Sequence, residues 1–294
     1  MIKELRAGIC ISDERTQVVV VEFRPDGMDL RYLEEIIRTP EQSFTYLPDA
    51  TIKSLTSFGK FAKLSVSIET GNAMTLVLPM DTSLPEVNLE EQIDWEWKNY
   101  LPEYVPSEFL RSKTVLTNDA ETQTSVVLSS IIKHSLLNEI RDGLRSYKLS
   151  AGNVELISTN VEIALRFIHP EIKNKTIAMV GVSGMRLDVH VYVSGKLSAY
   201  KYGIGLQPKE AVDFLANELL EYLPETLYLY GSALTYEWQK ALKSSLGVVV
   251  NLNPFRKFRV LPEVKNYSKY IGHEHRFCGC IGGIIGNDTL RAER

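Results

Sequence analysis

Apolar and polar residues alternate with period two over residues 187–193, and Ser194-Gly195 follows as a turn. Just upstream, Ile177-Ala178-Met179-Val180-Gly181-Val182 is an apolar run that ends in Ser183-Gly184. Together these segments predict a strand, a tight glycine turn and a returning strand. Such a turn has two uses: its backbone N–H groups can cradle an anion, or it can simply close an antiparallel hairpin, the commoner case. Helical spacing takes over at Pro208 and predicts a helix to Tyr222. Val212, Leu215, Leu219 and Leu220 lie on one face, opposite Lys209, Asp213, Asn217 and Glu221. Pro224 ends the helix, and Leu227-Tyr228-Leu229-Tyr230 reads as a strand running into Gly231-Ser232-Ala233-Leu234. A helix over residues 236–245 with Gly247 as its cap, then a buried strand Val248-Val249-Val250, continue the alternation. The pattern predicts a layered α/β unit with any ligand at the strand ends.

The same reading divides the rest of the chain. Residues 1–77 predict a hairpin, a third strand near residues 29–37, a short helix over 51–58 and a strand over 64–69. Residues 78–150 read strand, helix, strand, strand, helix, an α+β stretch that the resemblance given below makes an insertion. Residues 151–170 predict a strand from Asn153 and a helix over 160–168, which the resemblance given below returns to the first unit, and residues 171–294 form the second unit. Within the insertion Leu89, Ile93, Trp97 and Leu101 keep helical spacing, which places Trp97 in the core and Trp95 off that face. An exposed Trp95 would suit a partner surface, but packing over a neighbouring subdomain is the expected role.

Composition narrows the class without naming a chemistry. A chain of 294 residues, 44% hydrophobic and 24% charged, can bury two cores, and a net charge of -4 gives no electrostatic case for nucleic acid. The first six residues lack the apolar core of a signal peptide, and no apolar run reaches the roughly 20 residues of a membrane helix. Three cysteines without a framework suit a reducing compartment. His273, His275, Cys278 and Cys280 are ligand types that zinc favours, but they crowd more tightly than zinc ligands do. No metal is therefore expected, and Cys278 and Cys280 read as buried structural residues. Arg256, Lys257 and Arg259 are expected at a solvated edge, their stems covering apolar surface. Motifs of P-loops, dinucleotide folds, serine hydrolases and zinc proteases are missing, and no catalytic residue is assigned.

In their order and spacing the segments resemble the PilM family, actin-like cytoplasmic proteins of bacterial type IV pilus assembly. The likeness spans nearly the whole chain. Gly8-Ile9-Cys10-Ile11-Ser12, followed by Val18 to Glu22, resembles the family's first phosphate hairpin. Leu78-Pro79, Leu84-Pro85, the helical residues 89–96 and Tyr100-Leu101-Pro102 resemble its inserted strand and helix. Residues 126–131 and the helix over 133–147 resemble the elements before the return, and Asn253-Pro254-Phe255 the turn after the adenosine segment. The resemblance implies an actin-like (ribonuclease H-like) α/β fold of two lobes, with equivalent hairpins at Gly8 and Gly181 and a small α+β subdomain inserted in the first lobe. It also implies a nucleotide cleft at Ser12, Gly181, Ser183, Gly231, Ser232 and Ala233.

The departures bear on chemistry. Cys10 stands where the family has an Asp that helps hold hydrated Mg²⁺, and Ser12 replaces a Gly. Met179-Val180-Gly181 replaces Asp-Ile-Gly, Arg186 replaces a Thr, and the adenosine turn is reduced to Gly231-Ser232-Ala233. Arg186 could fork onto a phosphate, but a solvated strand-end cation is the expected role. With both cleft carboxylates gone, hydrolysis is expected to be lost even where ATP and Mg²⁺ still bind. The resemblance further implies a PilN-like inner-membrane partner whose short N-terminal cytoplasmic peptide lies in a groove involving the insertion. The protein would then be cytoplasmic and peripheral to the inner membrane through that partner, with no direct insertion. An active ATPase, or a secretion or cell-division relative of the same fold, are the alternatives.

Overall fold

The computed structural model describes residues 3–81, 83–119, 121–264 and 266–292. Met1 and Ile2 of the N-terminal segment lie outside the described residues. The first half runs β1 (Glu4–Ile11), β2 (Arg15–Arg24), β3 (Gly27–Ile37), α1 (Asp49–Ser57), β4 (Lys63–Ile68) and β5 (Met74–Asp81). It continues with α2 (Glu86–Tyr100), β6 (Phe109–Asp119), β7 (Thr124–Lys133), α3 (His134–Ser146), β8 (Asn153–Leu156) and α4 (Ile157–Ile168). The second half is β9 (Thr176–Ser183), β10 (Arg186–Val193), β11 (Lys196–Ile204), α5 (Pro208–Glu218), β12 (Thr226–Tyr230), α6 (Tyr236–Ser245) and β13 (Val249–Asn251). A two-residue β14 (Arg259–Val260) and α7 (Cys278–Ala292) close the order, with Gly286 breaking the helical backbone of α7.

Both large sheets have one topology. Their strand orders are β14-β3-β2-β1-β4-β8 and β11-β10-β9-β12-β13. Setting β14 aside, each is an antiparallel three-stranded meander whose first strand carries two parallel strands on its other edge. The hairpins predicted near Gly8 and Gly181 are therefore equivalent turns of two equivalent lobes. β5, β7 and β6 make a separate three-stranded sheet, with β7 in the middle.

Burial follows from the sequence pattern of each layer. α4 and the first turns of α7 are apolar nearly all round, and they lie between the large sheets in one cluster with Val19, Leu33, Met179 and Tyr192. α1 and α3 cover the outer face of the first sheet, α5 and α6 that of the second. The apolar stripe Leu137, Ile140 and Leu144 thus takes α3, read from sequence at the end of the insertion, onto the first lobe's sheet. In the insertion, Ile93 and Trp97 of α2 pack on Leu78, Met80, Val127 and Ile131, and the indole Nε1 of Trp97 donates to Ser129 Oγ at 2.9 Å.

Three sequence expectations need correction. α5 stops at Glu218, ahead of Pro224, which cannot continue a helix, so Leu220 lies past the helix end and is 70% exposed. The strand around Val249 is not buried: β13 pairs only with β12 at the sheet edge, leaving Val248 and Val250 exposed. Trp95 does not pack over a neighbouring subdomain; it is 60% exposed, because the α2 face it occupies has no element above it among the described residues.

α7 comes closest to its neighbours through glycine. A Cβ on Gly282 would overlap the carbonyl oxygen of Asn160, and one on Gly8 of β1 would overlap that of Cys280. Gly282→Ala should therefore lower stability by about 3 kcal/mol or prevent folding, whereas Gly71→Ala, with open space around it, should change it by less than about 0.5 kcal/mol. Equal urea midpoints for the two variants would contradict this packing.

Candidate functional site

The two equivalent hairpin turns and the ends of β4 and β12 meet at a cleft of about 500 Å³ between the lobes. Of the six residues expected there, Ser12, Ser232 and Ala233 line it and Gly181, Ser183 and Gly231 do not. Gly181 lies within β9 with the Tyr230 ring against it, so that any side chain would overlap the ring. Gly231, at φ 119°, abuts the backbone of Val182, and Ser183 ends β9. The second turn offers Gly184 and Met185 to the cleft instead. Cys10 and Met179, where the family pattern has acids, point into the core between the sheets, and burial pushes the Cys10 thiol well up.

Around this cleft most polar groups are already engaged. The Ser12 hydroxyl closes its own turn, accepting from the Arg15 N–H at 3.0 Å. Beneath that turn the buried Arg38 guanidinium donates to the Ser12 carbonyl, to Thr16 Oγ1 at 2.6 Å and to the Phe44 carbonyl at 2.8 Å. Burial lowers its pKa, opposed by nearby Asp13 and Glu69. Arg15 and Arg276, both on the cleft wall, share the Glu35 carboxylate at 3.0 Å each.

Although both family acids are replaced, the cleft is not without carboxylates: Asp13, Glu14 and Glu69 line it. Glu69, immediately after β4, is 5% exposed and accepts a hydrogen bond from Ser232 Oγ at 2.6 Å. Burial raises its pKa to about 7 against the Ser232 hydrogen bond, which lowers it; the charge of Asp13 adds to the rise. Asp188 of β10 is buried behind the second turn, where Arg186 Nε donates to it at 2.9 Å and the Tyr200 hydroxyl at 2.5 Å. Arg186 is accordingly no solvated cation: Asp188 and Tyr200 hold it, and its guanidinium stacks 4.5 Å from the Tyr202 ring centre. Neither acid belongs to a recognisable motif, and only the strand–turn register around them could have pointed to the site.

Other sequence candidates fall elsewhere. His275 is 1% exposed, and burial holds its pKa down at about 4 against a hydrogen bond with the Leu234 backbone. Cys278 and Cys280 face the Leu252 and Gln17 carbonyls inside the core, and no three His, Cys, Asp or Glu side chains among the described residues are placed to hold a metal. Lys257 covers the Phe167 ring as expected, but Arg259 is tied to the fully buried Asp29 at 2.7 Å.

A second concavity, of about 690 Å³, opens between the insertion and the second lobe. One wall is β6, which among the described residues is hydrogen-bonded to β7 alone; its other edge runs close to β11 without pairing with it. A bulge between Val115 and Thr117 buries Leu116 and leaves Val115 exposed. The opposite wall is the turn and start of β11, also an edge strand. On the floor Glu162 of α4 accepts from Arg166 Nε at 2.8 Å and from the Tyr192 hydroxyl at 2.9 Å, beside the buried ring of His190.

No family model matches the chain, and no curated protein matches it. Among solved structures, a PilM-PilN type IV pilus biogenesis complex is similar at 14% identity and TM-score 0.68, over 95% of this chain and 97% of that one. A Bacteroides thetaiotaomicron protein with an actin-like ATPase fold and unknown function is similar at 14% identity and TM-score 0.53, over 87% and 93%. The chain has the actin-like fold.

Glu69 sets a sign for pH dependence. Its folded pKa, about 7, lies above the ordinary 4.5, so its contribution to stability is complete below 4.5 and lost as pH rises through 7. Glu69→Gln keeps an acceptor for Ser232 and removes the charge. The variant should gain several degrees in melting temperature over the native protein near pH 8 and little near pH 5; equal gains would show that Glu69 titrates normally.

Proposed function

We propose that this protein is a non-catalytic scaffold of a type IV pilus-like assembly that grips a short N-terminal cytoplasmic peptide of a PilN-like inner-membrane protein. The observation that carries the reading is the groove between β6 and the second lobe. It joins two unpaired sheet edges to an apolar wall of Val115, Leu116, Leu128 and Leu197. An extended peptide can satisfy its backbone on such an edge and seat alternate side chains against the wall. Likeness to a solved PilM-PilN complex supports the choice of partner. This partner would hold the protein at the cytoplasmic face of the inner membrane; no described helix is long and apolar enough to cross it.

The cleft supports the non-catalytic half of the reading. Its serine hydroxyls are engaged with the chain itself, its two arginines share one carboxylate, and Glu69 is bound to Ser232. Phosphoryl transfer needs free cationic donors aimed at the phosphates, and both arginines on this cleft are already paired with Glu35.

Titration calorimetry with the partner's N-terminal peptide should show one site, weakened at least about tenfold by Val115→Asp and unchanged by Trp95→Ala. Absence of binding, or steady magnesium-dependent ATP turnover by the native protein, would overturn the proposal.

A further inference from the structure

Equivalent points of the two lobes touch in the cleft. β4 and β12 hold the same place in their sheets, each parallel to the first strand of its lobe, and the chain leaves both at the same end. Glu69 is the first residue beyond β4 and Ser232 the second beyond β12. Ser232 Oγ donates to Glu69 Oε1 at 2.6 Å, and both side chains are buried. The Glu69 carboxylate also accepts the backbone N–H of Asp13, and its own N–H donates to the Ile11 carbonyl at 3.1 Å, so the acid is fixed to the first hairpin as well. A bond between strand ends related in this way occupies the place where a bridging ligand would join the lobes. We propose that Glu69 and Ser232 form a proton-controlled latch, which ties the two lobes together across the cleft without a ligand and loosens when Glu69 ionises.

The charges around the pair set this direction. Asp13, from the turn after β1, and Asp188, from β10, both oppose a charged Glu69. Arg38, beyond β3, favours it, but its guanidinium is committed to the Ser12 and Phe44 carbonyls and Thr16. Arg15 at the start of β2 and Arg276 before α7 are engaged by Glu35, while Glu14 adds a further negative charge at the mouth. Cys10 and Tyr230, also near, are buried, and burial pushes both pKa values up. No cation among the described residues therefore pairs with an ionised Glu69. The bond from Ser232 recovers only part of its desolvation cost, and the remainder is relieved by water entering as the lobes part.

The latch is independent of the peptide reading and is tested without a ligand. Spin labels on Glu14→Cys and Met185→Cys, at opposite lips of the cleft, report the gap, since the three native cysteines are buried. Between about pH 5.5 and pH 8.5, the distance distribution of this background should gain a longer population, spanning the range in which Glu69 titrates. Adding Glu69→Gln should keep it short at both pH values, and adding Ser232→Ala should give the longer population already at the lower one. Circular dichroism at each pH confirms that every variant is folded. Identical distributions at the two pH values in the background protein, or the same lengthening in Glu69→Gln, would overturn the latch.

Discussion

α7 can lie between the two large sheets only because its backbone comes within side-chain distance of everything around it. Gly279, Gly282 and Gly283 face Ile157, Asn160 and Ser65, and Gly8 of β1 faces Cys280. Hydroxyls of the first sheet reach across this narrow gap: Ser65 Oγ donates to the Gly283 carbonyl at 2.7 Å and Ser67 Oγ to the Gly279 carbonyl at 2.9 Å. Asn160 of α4 donates to the same Ser67 hydroxyl at 2.7 Å. These bonds fix one sheet against the helical layer, and Met179, Tyr192 and Tyr230 fix the other sheet to it. With Glu69 and Ser232 bonded to each other, the spacing of the two hairpin turns follows from the thickness of this layer.

Cleft and groove differ in how far the chain satisfies itself. In the cleft, hydroxyls, guanidinium groups and carboxylates are largely paired with one another, so a newcomer must displace existing bonds before making its own. In the groove, the floor is equally well paired through Glu162, Arg166 and Tyr192, but the facing edges of β6 and β11 are not paired with each other. A ligand gains most where backbone groups have only water to lose. That contrast favours recognition of a peptide at the groove over recognition of a small anion at the cleft.

Much of this architecture is legible in the sequence because strand alternation and helix spacing are local. Residues 187–193 alternate, and β10 forms over them; Ile93 and Trp97 keep helical spacing, and both are buried. Position in a sheet is not local, and there the pattern misleads. Val248 and Val250 are as apolar as the residues of a central strand, yet β13 has a partner on one side only. The same holds for the site. Ser232 could be named from a glycine turn, but Glu69 is a single acid after an ordinary strand, 163 positions away, and only the duplicated topology brings the two together. The engagement of Arg186 is hidden from the sequence for the same reason, since Tyr200 belongs to the strand beyond the next turn.

The route of the chain after β13 carries a last consequence. β14 adds to the outer edge of β3, and α7 fills the layer beneath β1 and β4, so residues near the carboxyl end complete the lobe begun by the amino end. During synthesis the first lobe would emerge with its inner apolar face, including Val19, Val21 and Leu33, still uncovered until α7 leaves the ribosome. Contacts of such long sequence separation form slowly. This fold therefore spends its biogenesis with a sticky surface on display, and chaperone dependence should concentrate in the interval before the carboxyl-terminal helix docks.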